Sequence, residues 1–166
     1  MVYCGVRFSH TCVTEAIGRF FQSHYFRKSV NKIITQKTET VLDVGCGGGD
    51  YSFYLAEKYP SLTIDAIDIS KEGIEQAKIV QEKSNLRTIN FLHTDLEKIS
   101  KDRKYSIVIL VNVINEVKNK AEFIRNALTL VGWGGHICIQ PHPPAGYSAP
   151  IIASPEQFYD YHKKYS

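Results

Sequence analysis

Short apolar runs alternate with stretches of helical period along most of this chain. Val13, Ile17, Phe20, Phe21 and His24 stand three and four residues apart, and Val30, Ile33 and Ile34 continue the same side, which predicts one helix or two short ones over 12–34. TVLDV (40–44) follows as a short run of strand type. DYSFYLAEKY (50–59) repeats Tyr51, Tyr54, Leu55 and Lys58 at helical intervals, and Pro60 ends it. LTIDAID (62–68) predicts a second strand, after which Ser70 stands where a helix N-cap belongs, ahead of Ile74, Ala77 and Val80. INFLH (89–93), SIVILVN (106–112) and HICIQ (136–140) are further strands, with EFIRNALTLV (122–131) an amphipathic helix between the last two. Five strands alternating with helices imply an α/β fold, an open, doubly wound, mostly parallel sheet.

The first strand ends in LDVGCGGGD (42–50), where an apolar run stops on an acid and gives way to glycines. Glycine buries nothing and costs about 0.5 to 1 kcal/mol against alanine inside regular structure, so such a cluster is expected where side chains would obstruct a ligand. In a doubly wound sheet this strand-to-helix turn lies beside the ligand crevice. Dinucleotide binders space their glycines G-x-G-x-x-G and rest a diphosphate on the helix N-terminus. Here Gly45, Gly47 and Gly49 are spaced G-x-G-x-G, and Asp50 takes the place of the third dinucleotide glycine. An acid there repels a diphosphate and tolerates a ligand carrying an ammonium and a sulfonium.

The bulk properties narrow the picture without changing it. At 166 residues, 43% hydrophobic and 22% charged, the chain fits one soluble globular domain. No apolar run approaches the roughly 20 residues of a bilayer span, and MVYCGVRFSH lacks the apolar segment of a secretion signal, so a cytoplasmic location is expected. Cys4, Cys12, Cys46 and Cys138 are scattered, which fits free thiols; Cys4, His10 and Cys12 lack a fourth ligand nearby, and no metal is implied. The net charge of +3 is uneven: residues 1–40 hold six basic side chains against two acidic ones, the remainder fourteen against fifteen. That balance is too weak to imply nucleic acid.

The motifs resemble a known family in order. LDVGCGGG and IDAIDIS resemble motifs I and II of the class I S-adenosylmethionine-dependent methyltransferases. INFLHTDLEKI (89–99) resembles the third motif, YSIVILVNVINEV (105–117) the fourth strand and its loop, and LVGWGGHICIQ (130–140) the turn before the fifth strand. The resemblance implies a Rossmann-like core over 38–140 that binds S-adenosylmethionine, a helical cap over 1–37, and a truncated C-terminal loop and helix over 141–166. It implies that Asp43 holds the methionine amino end, that Gly45, Gly47 and Gly49 lie under methionine and ribose, and that Asp68 accepts both ribose hydroxyls. By the same resemblance Ile69 packs on the adenine, Asp95 and the Leu96 backbone meet its polar edge, and the Asn112 backbone meets the ammonium. Taken singly, an Asp at a strand end is an ordinary cap or turn residue. Asp65, mid-strand, reads as structural; Gly134 and Gly135 read as a tight turn; Trp133 reads as a packing residue.

The activity implied is methyl transfer to an oxygen or nitrogen of a small molecule or peptide. Because the methyl is already activated, the protein need mainly align the acceptor, and a general base is optional. Candidates near the methyl are Glu116 and Asn115 after the fourth strand, His142 beyond the fifth, and His24 or Tyr25 if the N-terminal helix closes over the pocket. Each has a plainer reading: a loop residue for His142, the start of a solvated helix for Glu116, and core packing for the N-terminal helix. After the fourth strand Asn112-Val113-Ile114-Asn115 replaces the Asn-Pro-Pro-aromatic run of enzymes that methylate amino groups of nucleic-acid bases, so a nucleic-acid acceptor is disfavoured.

Family members add a helix and an antiparallel hairpin after the fifth strand, whereas 26 residues remain here. Ser154, Pro155 and Gln157 make a helix start of capping-box type, with Phe158, Tyr161 and Tyr165 following at helical spacing, and no strand is predicted. Either the sequence is a fragment, or the protein is a shortened version whose fifth strand is an exposed edge, which favours a homo-oligomer or a larger assembly. A catalytically silent, methyltransferase-like scaffold subunit is the alternative function.

Overall fold

The computed structural model describes residues 24–140 and 150–157. Residues 24–33 form helix α1. Then come β1 (Thr40–Val44), α2 (Asp50–Lys58), β2 (Thr63–Asp68), α3 (Lys71–Glu82), β3 (Ile89–His93), β4 (Tyr105–Val111), α4 (Lys120–Thr129), β5 (Val131–Gln140) and β6 (Ile151–Ala153). The strand order is β3-β2-β1-β4-β5-β6, with parallel pairing from β3 through to β5. The five expected strands and the helices between them are present, and the expected N-cap holds: Ser70 Oγ accepts from the Gly73 N–H at 3.1 Å.

Alternation along the strands divides the core into two layers. Val41, Ile64, Ala66, Ile107 and Ile109 pack with Phe26, Val30, Leu55, Ala56, Ile74 and Ala77, so α1, α2 and α3 cover one face. Leu42, Val44, Ile67, Val108 and Leu110 pack with Ala127, Leu128 and Leu130 around α4 on the other. Of the two readings of the N-terminal helix, residues 24–33 show core packing: Phe26 is fully buried with its ring centroid 4.3 Å from that of Tyr51. Burying such a ring contributes about 2 to 3 kcal/mol. Asn31 Oδ1 accepts from both the Tyr54 and Tyr59 hydroxyls, at 3.0 and 2.8 Å, and ties the same helix to α2.

Asp65 is structural, as read from its mid-strand place. Its carboxylate is buried and receives the Arg103 guanidinium at 2.6 Å, the Tyr105 hydroxyl at 2.7 Å and the Asn90 amide at 3.1 Å. A buried charge needs such partners, and here all three arrive from β3, β4 and the turn before β4.

Two expectations are corrected at the β5 side. A strand does follow β5: β6 pairs with it antiparallel, Ile137 opposite Ala153 and Ile139 opposite Ile151. Three residues between Pro150 and the Ser154-Pro155 helix start are too few for periodicity to announce a strand, yet Ile151 and Ile152 pair well at an edge. The edge of β5 is thus covered over 137–139, which removes the basis for expecting assembly through it. Trp133, read as packing, stands wholly in solvent. Gly134 and Gly135, read as a tight turn before the fifth strand, lie within β5, where the pairing with β4 shifts register between Tyr105 and Ile107; Gly134 has φ +70°, and a Cβ at Gly135 would lie 2.8 Å from the Ser106 carbonyl. The expected capping box is formed, Ser154 Oγ accepting from the Gln157 N–H and Gln157 Oε1 from the Ser154 N–H.

Candidate functional site

In the strand order, β1 lies between β2 and β4, so the chain leaves β1 toward one side of the sheet and later crosses to the other. The loops that follow β1 and β4 therefore part, and a crevice opens beyond their carboxyl ends. A cavity of about 720 Å³ lies there, lined by Gly45, Asp68, Ile69, Asp95, Leu96, Asn112, Val113, Glu116 and Phe123 among others. That volume suits a ligand the size of a nucleoside derivative.

The glycine turn reaches the cavity through Gly45. Gly45 sits at φ +73°, its N–H donating to the Ile67 carbonyl at 2.8 Å, and a Cβ there would come within 2.6 Å of Val113 Cγ2. Gly49, at φ +87°, would drive a Cβ to 2.7 Å from the Phe91 ring. Gly47 is also left-handed, and its N–H donates to Asp68 Oδ2 at 2.7 Å. The Ser70 N–H donates to Asp68 Oδ1, also at 2.7 Å. Asp68 is thus clamped from two sides by backbone, and a carboxylate has about four acceptor sites, so each oxygen keeps capacity for one more donor. Ile69 beside it is 73% exposed, an apolar side chain left open to the cavity.

Asp43 contrasts with Asp68. It is buried and is not among the residues lining the cavity; the Ser52 hydroxyl donates to its Oδ2 at 2.6 Å. Burial pushes its pKa up to about 6; the Ser52 hydrogen bond opposes this, and the negative charges of Asp68 and Asp50 add to it. Asp95 caps the short turn Leu96–Lys98, its Oδ1 accepting from the Glu97 N–H at 3.2 Å, and it also lines the cavity. Asn112, directly after β4, has φ +62°, the one non-glycine among the described residues in the left-handed region, which asparagine tolerates better than most.

Comparison with known proteins decides the family. A family model described as a methyltransferase domain matches residues 35–160. The chain belongs to that methyltransferase domain family.

This methyltransferase domain is 42% identical over 86 residues to the ubiquinone biosynthesis O-methyltransferase of Rickettsia typhi, covering 52% of the chain and 34% of the relative. It is 31% identical over 91 residues to the probable (S)-tetrahydroprotoberberine N-methyltransferase 2 of Papaver bracteatum, covering 55% and 25%. Among solved structures, plantazolicin methyltransferase BpumL in complex with SAH aligns at a TM-score of 0.60 and 24% identity, over 73% of this chain and 46% of that one. Coclaurine N-methyltransferase bound to N-methylheliamine and SAH aligns at 0.63 and 19%, over 71% and 35%. The domain thus spans less than half the length of these relatives.

The structure gathers Gly45, Asp68, Ile69, Asp95, Leu96, Asn112 and Glu116 around the domain's cavity and leaves Asp43, Gly47 and Gly49 beside it. Tyr25 is half-buried on α1, against the His24 ring, and does not line the cavity. His142 and the Cys4, His10 and Cys12 group lie outside the described residues. Val113, Lys118 and Phe123 were not anticipated as lining residues. The apolar period of α4 marks Phe123 as inward-facing, but only the crossing of α4 at the cavity mouth turns it toward a ligand.

Proposed function

We propose that this domain binds S-adenosylmethionine in the β1/β4 cavity and transfers its methyl group to an oxygen or nitrogen of a small molecule or peptide. The observation that carries this reading is the Asp68 carboxylate, preset by two backbone amides at the rim of a side-chain-free turn, next to the open apolar face of Ile69. A carboxylate fixed in that way suits a vicinal diol and repels a diphosphate. The relatives' methyltransferase names and the SAH in the solved neighbours support the same ligand.

When bound, S-adenosylmethionine supplies a methyl group on a sulfonium sulfur. The residues of this chain bind and align. Asp68 takes the ribose hydroxyls, Ile69 packs on the adenine, and Asp95 and the Leu96 backbone N–H meet its polar edge. The Asn112 backbone and the buried charge of Asp43 favour the ammonium. Glu116, exposed and among the residues lining the cavity after β4, serves as the base where the acceptor needs one. Calorimetric titration with SAH is expected to give saturable one-to-one binding, with none for NADH; binding of NADH and not SAH would overturn the reading, and binding of neither would favour the scaffold alternative.

Asp43 makes that binding pH-dependent. The free domain holds its proton up to about pH 6, above the ordinary value of 3.8, because burial disfavours the charge. A bound ammonium favours the charge, so binding expels the proton wherever Asp43 was still protonated. SAH affinity is therefore expected to rise with pH through about 6, by roughly three- to tenfold between pH 5 and pH 7. Asp43→Asn should flatten that slope, and an unchanged slope in the variant would sink the assignment.

A further inference from the structure

The proposed ribose acceptor owes its position to a residue that never reaches the cavity. Both amides that clamp Asp68 belong to segments joined through the first turn of α3. Ser70 gives its N–H to Asp68 Oδ1 and, through Oγ, receives the N–H of Gly73. Gly47 gives its N–H to Asp68 Oδ2 and has its peptide seated directly on Gly73: a Cβ at Gly73 would lie 3.2 Å from the Gly47 carbonyl oxygen and 3.3 Å from its carbonyl carbon. Gly73 has no left-handed φ to explain it, and it lies inside a helix, where glycine is among the least favourable residues. What its missing side chain permits is the approach of the glycine turn.

We infer that Gly73 is a positioning residue for the ribose site, holding the Gly47 amide against Asp68 by leaving α3 bare where the turn rests on it. This rests on the reading of Asp68 as the ribose acceptor. A methyl group at Gly73 displaces the Gly47 peptide by a few tenths of an ångström, and the N–H of the same residue turns away from Oδ2. Asp68 then keeps one clamp of two, and its carboxylate loses its fixed orientation toward a diol.

Gly73→Ala separates this from a structural role, because alanine favours the helix. The expected result is a melting temperature unchanged or raised, with SAH affinity lowered about five- to twentyfold. The loss should fall on the diol. Adenosine should weaken by the same factor, while 2′,3′-dideoxyadenosine, which lacks both hydroxyls, should bind wild type and variant alike. Lys78→Ala, on the exposed side of the same helix, should change neither affinity. Asp68→Ala is run alongside on the same ligands. If Asp68→Ala narrows the gap between adenosine and its dideoxy form and Gly73→Ala leaves that gap intact, the inference about Gly73 is wrong and the ribose reading survives. If Asp68→Ala itself leaves the gap intact, the ribose reading fails first.

Discussion

Asp68→Ala is expected to weaken SAH binding about 100-fold or more while the domain stays folded. Two charge-assisted hydrogen bonds to the ribose are lost, each worth about 1.5 to 3 kcal/mol. The variant also strands the Gly47 and Ser70 amides, which now lack an acceptor in a half-buried place. That costs stability of about 1 to 2 kcal/mol, far less than unfolding the domain requires. Asp68→Asn keeps the size but offers an amide NH₂ toward one of two backbone N–H groups, so it should recover little of the affinity. Calorimetry gives the affinities and circular dichroism the folded fraction. A variant that binds SAH as tightly as the parent would remove the ribose site from the proposal.

The largest loss of stability is expected at Asp65, three residues earlier on the same strand. Asp65→Ala removes the acceptor of the Arg103 guanidinium, the Tyr105 hydroxyl and the Asn90 amide together. Arg103 is half exposed and can turn to water, but Tyr105 is buried and its hydroxyl is left without that partner. Breaking a buried pair from one side typically costs 3 to 5 kcal/mol, and the exposure of Arg103 places this case near about 3 kcal/mol. Arg103→Ala should cost less, about 1 to 2 kcal/mol, because Asp65 keeps two neutral donors. Urea unfolding followed by circular dichroism reads both as a lower midpoint at constant slope. A loss under about 1 kcal/mol for Asp65→Ala would show that the network contributes little. These two acids share one strand of six residues, and the pair tests fold and ligand independently.

What could be read from the chain follows the strength of its local signals. β1, β2 and β4 are mostly apolar runs, as strands covered on both faces are, with β1 and β2 each broken by one buried aspartate, Asp43 and Asp65. The glycine turn was legible because left-handed backbone and close approach to Val113 and Phe91 select glycine, and that choice shows in the sequence. Asp65 could be read as structural, but its partners could not. Arg103, Tyr105 and Asn90 lie 25 to 40 positions away and meet it only when β2 takes its place between β1 and β3. β6 was too short to carry a period, and Trp133 was misread because a tryptophan is more often buried than bare. Gly73 passed unnoticed for a similar reason, since a glycine at a helix start has several ordinary explanations and only the approach of Gly47 selects one.

The solitary indole of this chain has an experimental consequence. Trp133 is the one tryptophan in 166 residues, and it projects into water from the amino-terminal end of β5, whereas the ligand crevice opens at the carboxyl ends of the strands. Its emission in the native protein should already have the colour of a hydrated ring. Denaturation has little left to redden, and a nucleoside docking at the far end of the sheet has little to quench.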